Sequence, residues 1–261
     1  MEVVIRGTAE AAAELTAAII AREIAANPHL VLGLATGRTM EAVYRILVRK
    51  HREEGLDFAG VTTFNLDEYV GVPGDHPASY RHYMNEHLFR HVNIDPARTF
   101  LPNGMAADIP TECRQYESRI RNRGGIGLQL LGIGRSGHIG FNEPLSALRS
   151  RTREKPLTPK TIEQNSPMFG GPEHMPRWAI TMGVGTILDS QQCLLLATGE
   201  EKAEIIAKAV EGPITSMISA TALQLHPHCT VIVDEAAAAK LEQADYYRWV
   251  FENERHWDGL R

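Results

Sequence analysis

Short apolar runs alternate with amphipathic stretches along the whole chain, and this rhythm constrains the fold more than any other feature. Strand-like runs lie at residues 3–5, 30–34, 61–66, 128–133, 178–182, 193–197 and 230–233. Helix-patterned stretches fall between them. Thr8 can cap a helix over 9–26 that carries Leu15, Ile19, Ile20 and Ile24 on one face. A second, about 40–52, has Val43, Ile46, Leu47 and Val48 as its stripe; others lie near 83–91, 111–123 and 203–210, and over 235–241 behind Asp234. Such alternation argues for an α/β fold: an open, largely parallel, doubly wound, Rossmann-like sheet with helices on both faces.

The rhythm breaks at 145–176, a stretch rich in proline that also holds Arg149, Arg151, Arg153, Lys155 and the turn Gly170-Gly171-Pro172. We read one domain over 1–261 with a lid-like insertion at 145–176, because long ordered loops in compact domains are often functional. The segment 244–251 is aromatic and is expected to dock on its own domain or on a neighbouring subunit.

Composition narrows the partners. A net charge of −5 gives no support to nucleic-acid binding. No apolar run is long enough to span a bilayer, and no signal-peptide pattern opens the chain, so no membrane partner is expected. Cys113, Cys193 and Cys229 are widely spaced and form no CxxC pair, which argues against a zinc site or a disulfide framework. The last two sit in apolar runs as buried thiols, and a cytoplasmic location is expected.

An open parallel sheet places its chemistry where strands end. Three strand ends are informative. Gly33-Leu34-Ala35-Thr36-Gly37-Arg38-Thr39 offers glycines, hydroxyls and the free N–H groups of a following helix, the parts of an anion cradle. It lacks the Gly-Lys-Ser/Thr ending of a Walker A loop. Asn65-Leu66-Asp67-Glu68-Tyr69 places two carboxylates at the end of an apolar strand, where charges avoid burial unless paired. One of them is equally well a helix cap. A partly buried carboxylate has a raised pKa and makes a better base. The third, from Gly132 to Pro144, is punctuated by glycine and presents His138 with Glu143 close behind. A cradle, a carboxylate base and an oriented histidine suit proton transfer on a small phosphorylated carbonyl compound. Phosphoryl transfer fits less well without paired metal-site carboxylates, and no Gly-x-Ser-x-Gly elbow supports serine hydrolysis.

These segments resemble the glucosamine-6-phosphate deaminase family. The likeness rests on Leu32-Gly33-Leu34-Ala35-Thr36-Gly37, on Phe64-Asn65-Leu66-Asp67-Glu68-Tyr69-Val70-Gly71 and on Gly137-His138-Ile139-Gly140-Phe141-Asn142-Glu143-Pro144. It continues through Ser150–Arg153, Ala179–Thr186, Ala209–Gly212 and Leu223–His226, in order along nearly the full chain. It implies conversion of D-glucosamine 6-phosphate and water to D-fructose 6-phosphate and ammonia, with no metal and no cofactor. It implies that His138 opens the pyranose ring, that Asp67 moves the C2 proton toward C1, and that Glu143 orients His138. Substrate and phosphate would be held by Thr36, Gly37, Arg38, Thr39, Glu68 and Lys202. Arg153 and Lys155 resemble an allosteric phosphate site of hexameric members, and a homo-oligomer is implied.

Three departures stand out. Ser136 replaces the aspartate or asparagine of many members, leaving Glu143 as the only charge on His138. Pro167 stands where members carry a phosphate-binding arginine, and proline has no side-chain donor. Arg38 and Met40 interrupt the usual Gly-Gly-Thr-Pro cradle, and Arg38 is expected to take over the lost arginine's task. The rival readings are a related amino-sugar substrate with an altered phosphate site, a 6-phosphogluconolactonase-like hydrolase, and a non-catalytic sugar-phosphate sensor. The intact Asp67, His138 and Glu143 disfavour the last two.

Overall fold

Strand β6, Leu128–Leu131, is buried at every position, and two strands flank it from opposite ends of the sequence. The computed structural model describes residues 1–260. Its main sheet holds β1 (Glu2–Arg6), β2 (Val31–Leu34), β3 (Thr62–Asn65), β5 (Thr99–Phe100), β6, β9 (Gln192–Ala197) and β10 (Cys229–Asp234). Their order is β1-β10-β9-β6-β2-β3-β5, and every neighbouring pair is parallel. From β2 the chain steps outward through β3 to β5; from β6 it steps the other way through β9 to β10. The direction reverses between β2 and β6, so the loops leaving these two strands part there and open a crevice at their carboxyl ends.

The helices follow the sequence closely. Helix α1 (Ala9–Ala26) starts where Thr8 Oγ1 accepts from Ala11 N at 3.1 Å. Helix α2 (Arg38–Glu54) stops at Gly55 in the left-handed region, φ 75°. It begins two residues before the expected start at Met40, which puts Arg38 and Thr39 in its first turn. Helices α3 (Tyr80–His87), α4 (Ile109–Asn122), α6 (Val184–Leu188) and α7 (Ala203–Val210) supply the later crossovers. Helix α8 (Glu235–Ala238) is capped by Asp234 as expected but closes early in a turn, with Leu241 N on Ala238 O. None of these helices is long and apolar enough to cross a membrane among the described residues. All three cysteines are buried and unpaired.

Three expectations are corrected. Residues 67–69, expected as the end of the strand at 61–66, form a strand of their own, β4 (Asp67–Tyr69), in a second sheet. The strand expected at 178–182 lies outside the parallel sheet: β8 (Trp178–Thr181) is the centre of that second, antiparallel sheet, ordered β4-β8-β7. The insertion at 145–176 is not a plain loop, since it contains β7 (Arg153–Pro156), α5 (Pro159–Asn165) and a 3-10 turn at Ser166–Phe169. The missing partner strand has a physical reason. Strand β7 reads Arg-Glu-Lys-Pro, an edge strand whose faces are half-buried or exposed, so it has no apolar alternation to betray it. Beneath this sheet lies a small second core of Tyr69, Val72, Phe141, Leu157, Met175 and Ala179.

The aromatic tail docks on its own chain. It forms α9 (Ala244–Asn253); Phe251 and Trp257 are buried, and Trp257 Nε1 donates to Glu2 at 3.1 Å. Tyr246 and Trp249 remain exposed and stack on each other.

Candidate active site

Four adjacent strands, β9, β6, β2 and β3, end at the crevice, and each delivers a residue singled out from sequence. The loop after β6 carries the histidine. His138 Nδ1 lies 2.7 Å from Ser136 Oγ and 3.1 Å from Glu143 Oε2. Ser136 Oγ also donates to Glu143 Oε2 at 3.4 Å. Burial pushes the Glu143 carboxyl up, but the hydrogen bond and charge of His138, with the hydroxyls of Thr161 and Thr158, outweigh it and hold it at about 2. An ionised Glu143 can only accept, so Nδ1 carries the proton and Nε2 is left with a free lone pair, a tautomer assigned from the network.

Glycine makes this geometry possible. A Cβ on Gly134 would stand 2.1 Å from His138 Nε2, so the imidazole occupies space that any other residue would fill. Gly134→Ala is therefore expected to displace the ring and cut turnover about a hundredfold, since misplacing a catalytic group by about 1 Å has that effect. Steady-state kinetics beside an unchanged circular-dichroism spectrum tests this; turnover within threefold of the parent would refute it.

Asp67 and Glu68 are adjacent in sequence and opposite in environment. Glu68 accepts from the backbone N–H groups of Tyr69, Tyr80 and Arg81 at 2.9–3.0 Å and so caps α3. The helix-cap reading holds for Glu68, whose contribution is to anchor this helix. The Asp67 carboxylate accepts no hydrogen bond from any described residue. Burial, reinforced by the neighbouring Glu68 charge, pushes it up to about 8. The second sheet sets its position. Asp67 pairs with Thr181 across β4 and β8, and Thr181 Oγ1 accepts from Phe141 N at 3.0 Å. This draws the histidine loop against the carboxylate: a Cβ on Gly140, at φ 57°, would stand 3.4 Å from Asp67 Oδ2.

The loop after β2 is the cradle. Gly37, at φ 122°, precedes the first turn of α2 and accepts from Tyr83 Oη through its carbonyl at 2.8 Å. Thr36 bonds the Tyr80 phenol, which lies 3.2 Å from the Tyr69 hydroxyl; Asn165 Nδ2 donates to that hydroxyl at 3.0 Å. This run of bonds ties the cradle to α5. Lys202, after β9, donates from Nζ to Ile133 O at 2.7 Å and so reaches the end of β6. Burial pushes its ammonium down, and Arg38 is among the cations close enough to add to that effect. Arg38 also borders a groove of about 690 Å³ between α2 and α3, which otherwise lies away from His138 and Asp67.

Several contributors escaped the sequence. Thr158 and Thr161, in the supposed lid, both donate to Glu143 Oε1, Thr158 at 3.1 Å. Asn142 binds the carbonyls of Ile139 and Met182 at 2.9 and 2.8 Å, and its Oδ1 accepts from Arg153 at 2.9 Å. Arg153 also reaches Ser146 Oγ at 3.0 Å, so it braces the loop from within; Lys155 lies on the same edge strand, half-buried. For Thr158 and Thr161 the signal in the sequence was the hydroxyl pattern Thr-Pro-x-Thr at 158–161, a helix cap.

The chain matches the family model for glucosamine-6-phosphate isomerases and 6-phosphogluconolactonase over residues 6–232. It is 51% identical to a glucosamine-6-phosphate deaminase of Cellvibrio japonicus, covering 100% of this chain and 99% of that one. A glucosamine-6-phosphate deaminase of Streptomyces coelicolor is 47% identical over the full length of both. A solved structure described as a monomeric glucosamine-6-phosphate deaminase superposes with a TM-score of 0.90 at 45% identity, over 92% of this chain and 100% of that one. A 6-phosphogluconolactonase from Trypanosoma cruzi shares the fold, with a TM-score of 0.76 at 19% identity over 92% of this chain and 97% of that one. On the near full-length match, this chain belongs to the family of glucosamine-6-phosphate isomerases and 6-phosphogluconolactonases.

Proposed function

We propose that the protein deaminates and isomerises D-glucosamine 6-phosphate, giving D-fructose 6-phosphate and ammonia. One observation carries this reading: a buried carboxylate with no donor, Asp67, lies against the loop of an oriented histidine, beside a cationic cradle. Lactone hydrolysis needs no such base on carbon.

His138 Nε2 takes the proton of the C1 hydroxyl and returns it to the ring oxygen as the C1–O5 bond breaks, leaving the open-chain aldehyde. Glu143 stabilises the imidazolium that forms in passing, with Ser136 as a hydrogen-bonding partner of the ring. Asp67 then removes the C2 proton. The electron pair moves through C1 to the aldehyde oxygen, which takes up a proton, and an enolamine results. Asp67 returns the proton to C1, giving an iminium at C2. Water adds there, ammonia leaves, and the C2 ketone is fructose 6-phosphate. Thr36, Gly37, Arg38, Thr39 and Lys202 hold the phosphate, and Glu68 holds α3 in place beside Asp67. The segment 145–176 acts as the wall that carries Thr158 and Thr161 behind Glu143.

Ammonia release from glucosamine 6-phosphate, galactosamine 6-phosphate and unphosphorylated glucosamine tests the reading, which predicts turnover of the first alone. Ammonia from none of them would overturn it. Arg38→Ala is expected to raise KM for the phosphorylated substrate about tenfold, with kcat within threefold, because a guanidinium on a non-reacting phosphate supplies uniform binding. An unchanged KM would remove Arg38 from the phosphate site.

A further inference from the structure

More positive charge gathers around Lys202 than the reading above uses. Lys202 is anchored on Ile133 O at the end of β6. Arg135 belongs to the tight turn that follows, closed by Gly137 N on Gly134 O at 3.0 Å. Arg38 opens α2. Lys160 lies in the first turn of α5, and that helix is fixed by Thr158 and Thr161 on Glu143 and by Asn165 on Tyr69. Besides burial, the charges of Arg135, Arg38 and Lys160 all press the Lys202 ammonium toward its neutral form, with Glu201 opposing them.

None of Arg38, Arg135 and Lys160 has a hydrogen-bonding or ion-pair partner among the described residues. Arg45, Arg49, Arg119, Arg151 and Arg248 each meet a carboxylate instead. Glu201, the largest single charge effect on Lys202, offsets these cations only in part, so the cluster keeps a net positive charge that costs free energy through repulsion, and a dianion placed among them reverses the sign. Residues 159–169, which hold Pro167, contain no cation other than Lys160.

We propose that Lys160 and Arg135 complete, with Lys202 and Arg38, a four-cation clamp on the substrate's phosphate dianion, Lys160 reaching it from the insertion and Arg135 from the histidine loop. The inference rests on a phosphorylated substrate and extends that reading to two residues outside the cradle. Arg135 is three residues from His138, so the clamp sets the distance from the phosphate to the ring that must open.

The test uses two probes on the intact protein. Calorimetric titration with inorganic phosphate reads the clamp without turnover, and KM for glucosamine 6-phosphate reads it in catalysis. Lys160→Ala and Arg135→Ala are each expected to weaken phosphate binding and raise KM about tenfold or more, the effect of losing a charge-assisted bond. Lys160→Arg restores most of both. Lys208→Ala, an exposed α7 lysine paired with Glu204, serves as the surface-charge control and behaves as the parent. Unchanged phosphate affinity in the two alanine variants overturns the clamp, as does an equal loss in Lys208→Ala. A parent protein that releases no ammonia but binds phosphate through Lys160 and Arg135 keeps the clamp and sinks the substrate assignment.

Discussion

Asp67→Asn abolishes ammonia release, with kcat expected to fall by about three to four orders of magnitude, because the amide cannot accept the C2 proton. The same change stabilises the fold at alkaline pH. The folded protein holds the Asp67 proton up to about 8, whereas an unfolded chain releases it near 4. Between these values the folded state binds more protons than the unfolded state, so its stability falls as pH rises through the window. Asparagine removes that dependence. Thermal unfolding is therefore expected to show the variant more stable than the parent at pH 9, by on the order of a few kcal/mol, and equal to it near pH 4. The kinetic counterpart is an acid limb: kcat/KM rises with pH through about 8, where the base is half ionised, and levels off above it. Retained turnover in Asp67→Asn, or a parent profile flat from pH 5 to 9, would remove Asp67 as the base. The groups facing it are Glu68 beside it and the phenols of Tyr69, Tyr80 and Tyr116, each raised by burial and further by the Asp67 charge. None of these phenols adds a charge near neutral pH.

Glu143→Gln has the second largest expected effect. Glutamine can donate to His138 Nδ1, which favours the tautomer with the proton on Nε2 and removes the lone pair that ring opening needs. It also deletes the charge that supports the imidazolium, and leaves Thr158 and Thr161 with a weaker acceptor. The analogous loss in a Ser-His-Asp triad is about ten-thousandfold; with Ser136 still at 2.7 Å from Nδ1, about a thousandfold loss in kcat is expected. KM should move much less, since the carboxylate acts on the histidine and not on the phosphate. A substrate analogue supplied already in the open-chain form is expected to recover part of the rate, because it bypasses the step in which His138 acts. A loss confined to KM, or a rate within tenfold of the parent, would contradict the role.

The local part of the site was legible in the residues. Ser136, His138 and Glu143 fall within one glycine-punctuated turn, so their mutual bonds follow from short chain separation and from the room left by Gly134. The cradle at Thr36–Thr39 was legible because a glycine turn into a helix has a fixed consequence for backbone N–H groups. The parallel sheet followed from the alternation of apolar runs and amphipathic stretches. Edge strands such as β7 were not legible, because charged residues with a proline carry no alternating pattern. Glu68 and Asp67 look alike in sequence, and only the helix that Glu68 caps separates a satisfied carboxylate from an unsatisfied one.

The sequence by itself determined most elements of the parallel sheet and the candidate side chains at its strand ends, since periodicity, capping and turn formation act over a few residues. Only the tertiary structure decided that Asp67 is buried without a donor while Glu68 is satisfied, what stands behind Glu143 and which charges act on Lys202. These depend on pairings between distant segments: β4 with β8, α5 against the histidine loop, and β9 beside β6. Desolvation and charge act through space, and the distances that set them exist only once the strands are paired.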